Sequence, residues 1–80
     1  MTTRIESAAD VHRLVKPVYR VAAITAIQQG WRLSLTGGGH LRWTPPGDES
    51  TVFTPSTPSD YRGVLNCMAQ LRRAGLRFPS

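Results

Sequence analysis

Two short runs of alternating residues flank a glycine triplet near the middle of the chain. Trp31, Leu33 and Leu35 alternate with Arg32, Ser34 and Thr36, while Leu41 and Trp43 alternate with His40, Arg42 and Thr44. Alternation with a period of two is the pattern of a half-buried strand. With Gly37 to Gly39 as the loop, Thr36 falls opposite His40, Leu35 opposite Leu41 and Leu33 opposite Trp43. Every apolar residue then shares one face. A slip of one residue would set apolar against polar throughout, so the pattern selects its own register. A three-residue hairpin loop needs a residue at positive φ, which glycine adopts without steric cost.

Upstream, residues 7–29 are expected to be helical. Ser7 precedes Asp10 by three positions, as in a capping box. Val11, Leu14, Val15, Val18, Val21, Ala22 and Thr25 follow helical spacing as one stripe. Pro17 has no amide hydrogen and its ring crowds the preceding turn, which predicts a kink or break near Lys16. Gln29-Gly30 ends the helix. Its opposite side carries Arg13, Lys16 and Arg20 together with Ile24 and Ile27. The isoleucines are either covered by the strand leaving Gly30 or mark a contact with another chain. His12, at the margin of the stripe, reads as structural. The first six residues show no pattern and are expected to be disordered.

Downstream, 45–50 is a turn-rich connection and 51–54 a short third strand ended by Pro55. A second helix is expected over 58–74, opened by Thr57-Pro58-Ser59-Asp60 with its cap, its proline and its first-turn carboxylate. Tyr61, Val64, Leu65, Met68 and Leu71 form its apolar arc, with Cys67 at the edge as a small packing residue. Gly75 and Leu76 supply the C-terminal cap. The order predicts one α+β domain over 1–80, in two layers: α-β-β-β-α, with strands 31–36, 40–44 and 51–54. Both helices cover one face of a three-stranded antiparallel sheet, and the other face stays wet.

Composition narrows the partner. Ten basic residues, nine of them arginine, stand against five acidic ones, for a net charge of +5. Arginine grips phosphate with a planar fork, so this balance favours a polyanionic partner, nucleic acid above all, with a merely basic soluble protein or one that docks an acidic partner protein as the alternatives. The single cysteine excludes an internal disulfide and argues against a secreted domain. No apolar run spans a bilayer and no signal segment opens the chain, so no membrane partner and a cytoplasmic location are expected. No Cys/His cluster, magnesium-binding carboxylate pair or phosphate-binding glycine loop is present, so neither a metal nor a small-molecule cofactor is expected.

Gln29-Gly30-Trp31, the Gly38-Gly39-His40 turn, Pro46 and the closing Leu71-Arg72-Arg73-Ala74-Gly75-Leu76 resemble the HicA-like toxin family, over roughly Val18 to Leu76. The likeness is closest to small family members from actinobacteria and their phages. It implies a fold like the double-stranded-RNA-binding domain, a metal-independent endoribonuclease acting on messenger RNA, and a partner antitoxin. The family's catalytic histidine follows the glycine turn and maps onto His40. Departures occur beside it: many family toxins carry serine before this histidine or a second histidine after it, where this chain has Gly39 and Leu41. The second helix also lacks the family's lysine or glycine-rich start.

RNA cleavage without a metal uses the 2′-hydroxyl as nucleophile and needs a base, an acid and cationic donors for the phosphorane. Histidine is the side chain whose ordinary titration range suits that work near neutral pH, which makes His40 the catalytic candidate. Arg42 and Arg32 are the phosphate-binding candidates. Thr36 and Ser34 can orient the ring or bind a sugar, and the amides of Gly37, Gly38 and Gly39 can approach phosphate closely. Two other readings stand beside the enzyme. One is a non-catalytic RNA-binding module of the same fold; the other is a small phage-type protein that docks a host protein through the first helix's basic face.

Overall fold

The glycine hairpin forms in the expected register. In the computed structural model, which describes residues 2–47, 50–57 and 60–78, Arg32–Leu35 pairs antiparallel with His40–Thr44. Leu33 lies opposite Trp43, Ser34 opposite Arg42 and Leu35 opposite Leu41. The Gly39 amide donates to the Thr36 carbonyl at 3.1 Å and the Thr36 amide to the His40 carbonyl at 2.8 Å. Gly39 alone of the three loop glycines takes positive φ, at 82°. A turn closed by one left-handed residue is the usual geometry of a three-residue hairpin loop.

Seven elements make up the described chain: β1 (Thr3–Ile5), α1 (Ala8–Leu14), α2 (Pro17–Gln28), β2 (Arg32–Leu35), β3 (His40–Thr44), β4 (Val52–Pro55) and α3 (Tyr61–Arg73). The four strands form one antiparallel sheet in the order β1-β2-β3-β4. The class is α+β as expected, but with four strands and three helices instead of three and two.

The additional strand corrects the expected disorder of 1–6, of which Met1 lies outside the described residues. Ile5 faces Leu33 across β1 and β2 and is 2% exposed. A strand of three residues with a single buried apolar side chain gives no periodicity to read. The additional helix comes from Pro17. α1 stops at Leu14, and Pro17 is the first residue of α2, where its missing amide hydrogen costs nothing. Arg20 then reaches back. Its Nε donates to the Val15 carbonyl at 3.1 Å and its Nη2 to the His12 carbonyl at 3.2 Å, so its guanidinium satisfies the open end of α1.

That break resets the helical phase, and the expected stripe drifts outward after it. Val11 and Val15 are buried, but Val18 and Val21 are exposed; Tyr19, Ala22, Ala23 and Ala26 take the inner face instead. Ile24 and Ile27 are partly buried against the core, which favours the covered reading of the two isoleucines. α2 ends at Gly30, φ 86°, with the Trp31 amide donating to Ala26 and the Gly30 amide to Ile27. This left-handed close turns the chain into β2.

α3 begins three residues later than expected. Asp60 is its cap, accepting from the Gly63 amide at 2.7 Å; Pro58 and Ser59 lie outside the described residues, as do Asp48 and Glu49 of the connection before β4. Its inner face is Val64, Cys67 and Leu71, with Tyr61 and Leu65 exposed. Cys67 is therefore central to the arc and not at its edge. The Leu76 amide closes the far end on the Leu71 carbonyl at 2.9 Å.

The core lies between the helices and one sheet face. Tyr19 meets Trp43 edge to face, ring centroids 6.3 Å apart, and donates its hydroxyl hydrogen to Cys67 Sγ at 3.5 Å. This one side chain ties α2 to β3 and to α3. Trp43 Nε1 donates to Thr54 Oγ1 at 2.9 Å, which gives a buried indole its partner and accounts for a fully buried threonine in β4.

Candidate nucleic-acid interface

Strand alternation decides what the helix-free face displays. The inner residues are Ile5, Leu33, Leu41, Trp43, Val52 and Thr54. Their neighbours in sequence point the other way. In register across the sheet, Arg4 lies opposite Ser34, Ser34 opposite Arg42 and Arg42 opposite Phe53. This row crosses all four strands. Beside it stand Arg32 opposite Thr44, and His40 opposite Pro55.

A groove of about 540 Å³ is lined from β1, β2 and β3, with the inner-face Ile5 and Leu33 and with Ile27 of α2 also in its wall. Arg4, Arg32 and Arg42 line it with Ser34, Thr44 and Glu6, and Trp31 and Ile27 stand among the other lining residues. Among the described residues Glu6 is the one carboxylate of the lining, and it lies 3.7 Å from Arg4 in an exposed pair. An exposed pair of this kind contributes at most about 1 kcal/mol and yields readily to a competing anion. Among the described residues Arg42 makes no ion pair.

The expected site residues divide into two groups. Arg32, Ser34 and Arg42 line the groove. His40, Thr36, Gly37, Gly38 and Gly39 form the hairpin tip, outside it. At the tip, the His40 amide donates to Thr36 Oγ1 at 3.1 Å. The imidazole lies close over the loop, such that a Cβ added at Gly38 would stand 3.8 Å from its Nδ1. The Ser56 amide donates to the Gly39 carbonyl at 3.0 Å, which moors the loop to the segment leaving β4. His40 itself is exposed.

Arg42 joins the groups, two residues from His40 on the same strand face, or about 7 Å between Cα atoms. Arg32 does not. It pairs with Thr44, four residues beyond His40 along β3, or about 13 Å. The structure thus brings Arg42 to the histidine, sets Arg4 in Arg42's row on the edge strand, and leaves Arg32 one row further from the tip.

Arg4 and Phe53 are the members that sequence reasoning missed. Arg4 sat in a segment without pattern. The signal for Phe53 was available: in Thr51 to Pro55 the buried set is Val52 and Thr54, so the intervening aromatic must face outward. Two other cations of the first helical region serve local structure. Arg13 pairs with Asp10 at 2.8 Å, and Arg20 closes α1. Among the described residues no three His, Cys, Asp or Glu side chains converge as metal ligands, and no helix is long and apolar enough to cross a membrane.

Compared with known proteins, the chain matches no family model, no curated sequence and no solved structure.

Proposed function

We propose that this protein binds RNA through the open face of its sheet, with the glycine hairpin at one end of the contact. The observation that carries the reading is the convergence of Arg4, Arg32 and Arg42 on one groove. Guanidinium groups grip phosphate oxygens in pairs, and a concave surface focuses their field on an approaching polyanion. The net charge of +5 acts in the same direction at longer range.

A second reading rests on the hairpin tip. His40 is exposed and shares its strand face with Arg42. In the HicA-like nuclease chemistry, His40 takes the proton of a ribose 2′-hydroxyl. The freed oxygen attacks the adjacent phosphorus, the bond to the 5′-oxygen breaks, and that oxygen is protonated by water. The products are a 2′,3′-cyclic phosphate and a 5′-hydroxyl end. Arg42 neutralises charge on the phosphorane. An antitoxin that silenced this chemistry would have to cover the same face.

Labelled RNA incubated with the purified protein in EDTA, then run on native and denaturing gels, tests both readings. A shift of intact RNA supports binding alone. Cuts that vanish in His40→Ala add the nuclease. RNA that neither shifts nor breaks contradicts both.

A further inference from the structure

Phe53 occupies an unusual place for an exposed aromatic. Single exposed apolar residues are ordinary on protein surfaces, but this one, 56% exposed, ends the cross-sheet row that begins at Arg4 and passes through Ser34 and Arg42. It also sits on an edge strand, where a bare aromatic invites aggregation and is commonly replaced by a charged residue. Strand spacing puts its Cα about 5 Å from that of Arg42 and about 14 Å from that of Arg4. A ring face and a guanidinium-lined groove therefore lie side by side on one sheet.

These two features match the two parts of a single-stranded nucleotide. A basic groove that follows the backbone and an aromatic side chain on which a base stacks are the recurring elements of single-strand binding sites. A duplex has no use for the ring, because its bases are already stacked on one another and present only their edges. Resting on the RNA-binding reading above, we infer that the open face takes single-stranded RNA, with phosphates over Arg4, Arg32 and Arg42 and one base stacked on Phe53. Readout by base stacking makes the site tolerant of sequence, since every base has a π-face.

The test is fluorescence anisotropy with a labelled unstructured RNA 12-mer and with the duplex of the same sequence. Wild type is compared with Phe53→Leu, which keeps an apolar side chain but loses the ring, and Phe53→Tyr, which keeps the ring. Circular dichroism melts confirm that both variants fold. The single strand should bind more tightly than the duplex. Phe53→Leu should weaken single-strand binding on the order of tenfold, and Phe53→Tyr should restore it. Duplex binding equal to or tighter than single-strand binding, with Phe53→Leu unchanged, overturns the inference and leaves the RNA-binding reading standing. Failure to bind either RNA removes that reading as well.

Discussion

Ile5 and Leu33 face each other across β1 and β2, both buried, and their pairing carries Arg4 onto the opposite side of the sheet beside Ser34. One core contact thus places one side chain of the candidate interface. Ile5→Ala should cost about 2–5 kcal/mol, a large share of the stability of so small a domain. Urea denaturation of this variant, and of a chain lacking residues 1–6, should show both strongly destabilised. Unchanged midpoints would mean that β1 contributes nothing to the core.

The Trp43–Thr54 hydrogen bond makes a sharper demand, because both residues are fully buried. Thr54→Val preserves shape while removing the acceptor, leaving a buried indole N–H without a partner. A loss of about 1–3 kcal/mol is expected. Thr54→Ser, which keeps the acceptor and loses a methyl group, should cost about 1 kcal/mol. A neutral Thr54→Val beside a destabilised Thr54→Ser would show that packing alone matters at this position.

Tyr19 supplies the pH dependence. Burial, with the Cys67 thiol beside it, holds its hydroxyl well above the ordinary tyrosine value of 10.0. The folded state therefore favours the neutral phenol. Its stabilising contribution is complete below pH 10 and declines as pH rises above that, because the unfolded chain ionises first. Tyr19→Phe should shift alkaline unfolding to higher pH, while costing about 0.5–1.5 kcal/mol at neutral pH for the lost hydrogen bond. Fluorescence of the two buried tryptophans reports the transition.

The hairpin predicts an asymmetry between neighbouring glycines. Gly39, at φ 82°, should lose about 1–2 kcal/mol when changed to alanine. An alanine Cβ at Gly38 would meet His40 Nδ1 at 3.8 Å and Thr36 Oγ1 at 3.9 Å, ordinary contacts, so Gly38→Ala should be neutral or mildly stabilising. Thermal melts of the two variants distinguish them directly.

What the sequence revealed follows from how much pattern each element contains. The β2–β3 register was legible because five apolar residues alternate about a glycine turn, and one register alone keeps them together. β1 was not, since three residues cannot display a period. In the helical stretch, Pro17 signals the interruption, but the spacing of the apolar residues does not show that the helical phase is reset there. Two independent helices answered instead, and Tyr19 replaced Val18 and Val21 inside. The site was half legible for the same reasons. Arg32, Ser34 and Arg42 came with the hairpin, whereas Arg4 became visible only once β1 was paired.

If the three groove arginines hold phosphate, the salt dependence of RNA binding must report them. Each phosphate neutralised on a single strand contributes about 0.7 to the slope of log affinity against log salt. Wild type should therefore lose affinity steeply with added salt, and a folded Arg4→Ala/Arg32→Ala/Arg42→Ala variant should show a slope shallower by about 2. A variant that binds with the wild-type slope and affinity would mean that these arginines do not hold phosphate.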